Sequence, residues 1–172
     1  FDAQVYAWLA MVKAQSRLGI KAPTQLVDCR TIIEEMRLIK SAGELEIMRR
    51  VNVISGNAHK RAMQQSAIGK FEYQLEAEIL HEFSSNGARY PAYGTIVAGG
   101  DNGNILHYTN NDDVLKDNEL ILIDAGGELS GYAADITRTF PVNGKFTEEQ
   151  KEIYQLVLDA QNLAIDTIKP KA

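Results

Sequence analysis

The segment that most constrains the fold of this chain runs from Leu120 to Phe140 and reads LILIDAGGELSGYAADITRTF. Two apolar runs rich in β-branched residues flank a centre that holds a serine and several glycines. This pattern is typical of a β-hairpin with a short loop. The sequence therefore predicts two antiparallel strands joined by a tight turn.

Two aspartates occupy matching positions in the predicted strands. If the turn is centred between Leu129 and Ser130, Asp124 lies directly opposite Asp135 in the antiparallel pair. Directly opposed side chains point to the same side of a sheet, with Cβ atoms about 5 Å apart. Two carboxylates this close repel each other, so we expect a cation between them.

Two kinds of cation are candidates for this position. Arg138 is near in sequence, but it is an odd number of residues from Asp135 and should point to the opposite face of an unbulged strand. Carboxylate oxygens suit Mn²⁺, Mg²⁺ or Zn²⁺, and a pair of ions about 3.5–4 Å apart is a known hydrolytic arrangement. Because aspartates at strand ends also serve as turn or cap residues, the hairpin alone leaves a metal site and a structural role both open.

Composition and charge exclude several classes of partner. The 172 residues, 45% of them hydrophobic and 24% charged, suit one sizeable soluble domain. The net charge of −5 argues against a nucleic-acid or anionic-membrane surface, and no apolar run approaches the length of a membrane span. The single cysteine, Cys29, cannot form an internal disulfide. We therefore expect a cytoplasmic protein with no nucleic-acid or membrane partner.

Helices are predicted over much of the remaining chain. Ser41 with Glu44, and Thr147 with Gln150, each have the spacing of a capping box that begins a helix. Apolar residues recur at helical spacing in the segments that follow. The predicted helices cover residues 1–18, 31–39, 42–65, 71–83 and 147–168.

Short strands are predicted at residues 25–27, 95–98 and 105–108. The last of these carries His107 close to its end, in a segment that leads toward the hairpin. His59 and His81 lie on predicted helices without a second histidine or carboxylate at ligand spacing. We interpret both as structural or exposed residues.

Five motifs stand in a specific order along the chain: Glu35–Arg37, Gly87–Pro91, Ile105–Asn110, Ile123–Gly126 and Gly131–Pro141. Taken together, they resemble the bacterial Xaa-Pro aminopeptidase (aminopeptidase P) family. Their order and spacing are far more specific than any one of them, and the resemblance runs over nearly the whole chain. That family belongs to the pita-bread metallopeptidases, which also include prolidase and methionine aminopeptidase.

The resemblance implies an α+β fold, namely the first half of a pita-bread domain with a curved antiparallel sheet and covering helices. Residues 1–34 resemble the end of the family's separate N-terminal domain and its linker. Residues 35–172 resemble the N-terminal half of the catalytic domain. The chain is therefore expected to be a fragment that lacks the second half of that domain.

The resemblance also implies a site. The family holds two divalent ions, usually Mn²⁺, and two of its aspartate ligands match Asp124 and Asp135. One histidine and two glutamates from the second half of the domain complete the family's ligand set. The family's substrate-site histidine matches His107, which we expect to be catalytic and to bind substrate. Tyr93 is expected to bind substrate, and Thr137 to support the neighbouring ligand Asp135.

The implied activity is metal-assisted hydrolysis that releases the N-terminal residue of peptides with proline in second position. The fragment itself is expected to be inactive. Two alternatives are a prolidase-type dipeptidase and a non-catalytic pita-bread module that binds peptides or proteins. Asp124, Asp135 and His107 argue against the binding module, which typically loses metal ligands, and against creatinase-like relatives that use no metal.

The predicted fragment should also associate with itself. Loss of the second half would expose apolar surface, and large exposed patches favour association. We expect a homo-oligomer, most simply a symmetric dimer. The alternative is that residues 147–168 fold back over the exposed face.

Overall fold

The computed structural model describes residues 1–170 and divides into two units, Phe1–Lys40 and Ser41–Ala172. In the first unit, helix α1 (Asp2–Ala14) leads into a short 3₁₀ helix, and helix α2 follows at Arg30–Leu38. Residues 25–27 form no strand, so that prediction is wrong. The predicted boundary after residue 34 divides the N-terminal domain of the family from its catalytic domain. The two packing units do not test that boundary, so it stays a prediction.

Three helices of the second unit begin where their sequence signals predict. They are α3 (Ala42–Gln65), α4 (Glu72–Ser85) and α5 (Glu148–Asp166). At the start of α3 the Ser41 hydroxyl accepts a hydrogen bond from Glu44 N, and the Glu44 carboxylate accepts one from Ser41 N at 2.6 Å. Thr147 and Gln150 form the equivalent box at α5. Both predicted capping boxes are confirmed.

Within residues 1–170, six strands form two small antiparallel sheets. The strands are β1 (Tyr90–Pro91), β2 (Ile96–Gly99), β3 (Leu120–Ala125), β4 (Gly127–Leu129), β5 (Tyr132–Ala133) and β6 (Ile136–Pro141). One sheet has the order β2–β3–β6 and the other has the order β1–β4–β5. Helices α3 and α4 pack on one face of β3, where Ile121, Ile123 and Ala125 are buried with Phe83 and Leu75.

The register of the central hairpin differs from the predicted one. Asp124 lies opposite Thr137, not Asp135, so the predicted direct opposition of the two aspartates is wrong. The turn lies one residue further along, at Ser130 and Gly131, whose φ angles of 52° and 80° are those a tight hairpin turn requires. Moving the turn by one residue changes each partner by two, which leaves every side chain on its predicted face.

The hairpin is interrupted at Gly126, between the ladder of β3 with β6 and that of β4 with β5. A Cβ atom at Gly126 would lie 1.7 Å from the carbonyl oxygen of Ala134, so only glycine allows the two chains this close. Backbone groups freed by the break find partners elsewhere: Gly127 N donates to the Ser55 hydroxyl, and Ala92 N donates to Gly126 O. The break therefore leaves these buried groups satisfied.

The segment before the hairpin is a loop rather than the predicted strand. Residues Gly100–Asn104 form a short 3₁₀ helix, and the chain then turns through His107, whose φ is 57°. Ile105 and Leu106, whose β-propensity suggested the strand, are exposed and have no strand partner. The prediction of a strand at 105–108 is wrong because side-chain hydrogen bonds, rather than sheet pairing, hold this segment.

Candidate metal and substrate site

Asp124 and Asp135 converge at one point. Asp124 is the fifth residue of β3, between the buried Ile123 and Ala125, so its side chain points away from the core. Asp135 directly precedes β6. The Tyr93 hydroxyl lies 2.5 Å from Asp124 Oδ1 and 3.1 Å from Asp135 Oδ1. One phenol therefore contacts both carboxylates.

Tyr93 does not neutralise this pair. Burial, followed by the hydrogen bond to Asp124, raises the pKa of Tyr93 above its usual range, so the phenol keeps its proton. Its single hydrogen serves the shorter contact, to Asp124. Within residues 1–170, neither aspartate forms an ion pair with a lysine or arginine. Arg138 is paired with Ile123 in the ladder and donates to Thr137 O instead.

His107 faces the same space as the aspartates. A cavity of about 340 Å³ is lined by Tyr93, His107, Asp124 and Asp135, with Ile96 and Thr109 among its other walls. A neighbouring cavity of about 290 Å³ is lined by His107, Asp124 and Thr137. The structure thus brings together four of the five site residues identified in the sequence, and the fifth, Thr137, lines the adjoining cavity.

The donor chemistry suits a divalent cation, but the ligand count is low. Two carboxylates that share a neutral phenol as hydrogen-bond partner fit ions that prefer oxygen ligands. In the part of the chain that the structure describes, no group of three or more histidine, cysteine, aspartate or glutamate residues could hold a metal ion. Further ligands would have to come from outside these residues.

A buried histidine, His59, contacts the end of strand β3. It is 3% exposed on α3, and its Nε2 atom lies 3.1 Å from the carbonyl oxygen of Ala125, the residue after Asp124. Burial lowers the pKa of His59. The sequence allows His59 to be structural or exposed, and the structure shows that it is buried. The available signal was its position four residues after Ser55 and three before Ala62, which places all three on one face of α3.

Two polar residues that anchor the segment around His107 were missed. Glu72 is fully buried at the start of α4, and Asn111 is 1% exposed. Neither stands out in the sequence, because each contacts residues that are distant along the chain.

A profile of metallopeptidase family M24 matches residues 46–172. The chain belongs to metallopeptidase family M24. It is 50% identical to the Xaa-Pro aminopeptidase of Escherichia coli strain K12 over 98% of this chain, and 47% identical to that of Haemophilus influenzae over 97%. It spans 38% of the length of each of these relatives.

Solved aminopeptidase P structures share the fold. The match to Zn-substituted Escherichia coli aminopeptidase P in complex with product has a TM-score of 0.91 at 50% identity, and covers 98% of this chain and 38% of that one. The match to Pseudomonas aeruginosa aminopeptidase PepP has a TM-score of 0.93 at 49% identity, and covers 99% and 38%. The α+β fold predicted from the sequence, half of a pita-bread domain, is confirmed.

Proposed function

We propose that the full-length protein is a metal-dependent aminopeptidase that releases the N-terminal residue of peptides with proline in second position. The observation that carries this proposal is the convergence of Asp124 and Asp135 on one phenol, beside His107, in a chain that is 50% identical to an Xaa-Pro aminopeptidase. The substrate preference is proposed from the names of the relatives.

Asp124 and Asp135 are the proposed metal ligands of this chain, and the proposed ions are two Mn²⁺. The carboxylate oxygens of the two aspartates suit Mn²⁺, and Zn²⁺ is the second candidate. When bound, such ions supply Lewis acidity and a nucleophile at neutral pH. The remaining ligands would lie outside this chain, which accounts for the absence of a larger ligand cluster within residues 1–170.

The other site residues act on the peptide and on the ligands. His107 lines the same cavity as the proposed metal ligands, and in this proposal its imidazole donates a hydrogen bond or a proton to a bound peptide. The Tyr93 hydroxyl donates to Asp124 and so orients that carboxylate, and the same side chain lines the proposed substrate cavity. Thr137 pairs with Asp124 across the two strands and supports the same face of the sheet.

Activity and metal content of full-length variants test these roles. Asp124→Ala and Asp135→Ala should each lose metal and lower turnover by more than about 10³-fold, since Lewis-acid stabilisation is worth several kcal/mol. His107→Ala should keep its metal and lower kcat by about 10²-fold. A His107→Ala enzyme that lost its metal would contradict the assigned role. Release of proline from Xaa-Pro dipeptides alone, without cleavage of longer peptides, would indicate the prolidase alternative.

The isolated chain should bind Mn²⁺ only weakly and should not cleave Xaa-Pro peptides, because two carboxylates cannot complete the coordination of two ions. Isothermal titration with Mn²⁺ measures the first expectation and a peptide assay the second. Sub-micromolar affinity, or turnover above a metal-free control, would contradict them.

We further propose that the isolated chain forms a homo-oligomer through α5 and β6. No residue of α5 is buried, and a groove of about 720 Å³ lined by Thr139, Ile153 and Val157 separates this helix from the sheet, so α5 does not cover the sheet face. Light scattering over a concentration series should show association, and Ile153→Glu with Val157→Glu should weaken it. Lys151→Glu on the same helix is the control. A monomer at high micromolar concentration would contradict the proposal.

We also propose a cytoplasmic location. This rests on the single cysteine, Cys29, which is exposed and free. None of the helices within residues 1–170 is both long and apolar enough to cross a bilayer. Measuring the distribution of the tagged full-length protein between cell fractions tests the location.

A further inference from the structure

The segment that carries His107 has an unusual backbone. We define the His107 loop as residues 100–110. The φ of His107 is 57°, in the left-handed region that a non-glycine residue rarely adopts. The backbone hydrogen bonds of the loop's second half are local, from Ile105 N to Asn102 O and from Tyr108 N to Ile105 O. Contacts from outside the loop must therefore hold this conformation.

One buried side chain supplies several of those contacts. Glu72 is the first residue of α4 and is fully buried, and each of its carboxylate oxygens accepts two hydrogen bonds. Oε1 accepts from Gly99 N at 2.7 Å and from Asn102 Nδ2 at 3.0 Å. Oε2 accepts from the Tyr108 hydroxyl at 2.7 Å and from Asp113 N at 3.1 Å. All four partners are donors, which matches an acceptor-only carboxylate.

Two of these four bonds go to residues that flank the His107 loop, and two go to residues within it. Gly99 precedes the loop and Asp113 follows it, whereas Asn102 and Tyr108 lie within it. Tyr108 is the residue next to His107 and is 7% exposed. Burial, followed by the hydrogen bond to Glu72, raises the pKa of Tyr108, so its hydroxyl remains a donor. The position of His107 is thus coupled to a carboxylate in another element.

We propose that Glu72 is a positioning residue for His107. The buried Glu72 carboxylate holds the His107 loop so that the imidazole faces Asp124 and Asp135. The inference rests on the proposed function, because the role of His107 is part of that proposal. Among the residues that the structure describes, the Glu72 carboxylate bonds to Gly99, Asn102, Tyr108 and Asp113 rather than to Asp124, Asp135 or His107. It acts only through the loop.

The variant Glu72→Gln tests this with almost no change in shape. A glutamine presents one oxygen and one amino group, so its amino group must face either Gly99 N or Asp113 N, since these donate to different oxygens. Neither backbone group can reverse its polarity, so the variant breaks the anchor in either orientation. Glu78→Gln on the same helix is the matched control, because Glu78 pairs with Arg61 at 2.6 Å, away from the loop.

In the full-length protein, Glu72→Gln should lower kcat by about 10- to 100-fold, the scale of a misplacement near 1 Å, with little change in KM or metal content. In a His107→Ala background the same change should have less than about a twofold effect, since a residue that acts through His107 loses its influence there. Hydrogen exchange should quicken in peptides covering residues 100–110 and stay unchanged over residues 120–141. The Glu78→Gln control should change neither kcat nor loop exchange.

Other results would overturn the proposal. An equal fall of kcat with and without His107 would show that Glu72 only stabilises the fold, and unchanged loop exchange would show that it does not hold the loop. If the wild-type protein cleaved no Xaa-Pro peptide, the proposed function would fail, while the exchange experiment would still decide whether Glu72 holds the loop. If Glu72→Gln does not fold, Tyr108→Phe removes one of the four bonds and should give a smaller change in the same direction.

Discussion

The two sides of the candidate site are held by different kinds of bond. Asp124 and Asp135 depend on the hairpin, in which β3 and β6 pair continuously from Leu120 with Pro141 to Ala125 with Ile136. His107 lies in a loop without strand pairing, which is anchored by the buried side chains of Glu72 and Asn111. A backbone ladder tolerates many side chains, whereas a side-chain anchor depends on one residue. The two regions should therefore fail under different substitutions.

The largest expected effect is a backbone obstruction in the hairpin. Gly126→Ala would place a Cβ atom 1.7 Å from Ala134 O and 2.4 Å from its carbonyl carbon, so the two chains must separate. We expect a loss of about 4 kcal/mol or more in the free energy of unfolding, measured with urea. Gly56→Ala is the control, since its Cβ would meet nothing within 4 Å and helix propensity should stabilise α3 by about 0.5–1 kcal/mol. Equal effects at the two positions would contradict this account of the hairpin.

A single polar side chain should have the next largest effect, in the region of the loop. The Asn111 carboxamide accepts from Val97 N and donates to Thr95 O, both at 2.9 Å, and so completes the free edge of β2. Asn111→Ala would leave these buried groups without their partner, and should cost about 2–3 kcal/mol. The neighbouring exposed Asn110→Ala should stay within about 0.5 kcal/mol of wild type. If both variants unfolded alike, the loop would not depend on this anchor.

What the sequence made predictable follows the same division. Local signals were sufficient for the caps of α3 and α5, because a capping box needs residues only three positions apart. The face of each aspartate was also predictable, since the alternation of a strand survives an error of one residue in the turn. The exact pairing was not, because Ser130 and Gly131 form the turn where Leu129 and Ser130 had been expected to flank its centre.

The His107 loop was the least predictable region. The apolar pair Ile105 and Leu106 suggested a strand, but the contact that decides this loop joins Tyr108 to Glu72, 36 residues away. No spacing rule connects residues at such a separation, so neither the loop nor its anchor could be derived from periodicity. The resemblance to a family identified His107 as a site residue without indicating what holds it in place.

The smallest expected effect concerns His59, the side chain that contacts the hairpin where its ladder ends. Burial lowers the pKa of His59 in the folded chain below its unfolded value near 6.5, so the unfolded state binds a proton more readily. Protonation of this histidine therefore costs no stability above pH 6.5, and the free energy of unfolding should fall as the pH drops below that value.

The variant His59→Gln removes the titrating group, so its difference from wild type in the free energy of unfolding should shrink between pH 7.5 and pH 5.5. Urea unfolding at both pH values measures this difference, with His81→Gln, an exposed site on α4, as the control. A difference that stayed constant with pH would mean that the ring beside Ala125 accepts a proton as readily in the folded chain as in the unfolded one, and that the hairpin does not depend on a neutral His59.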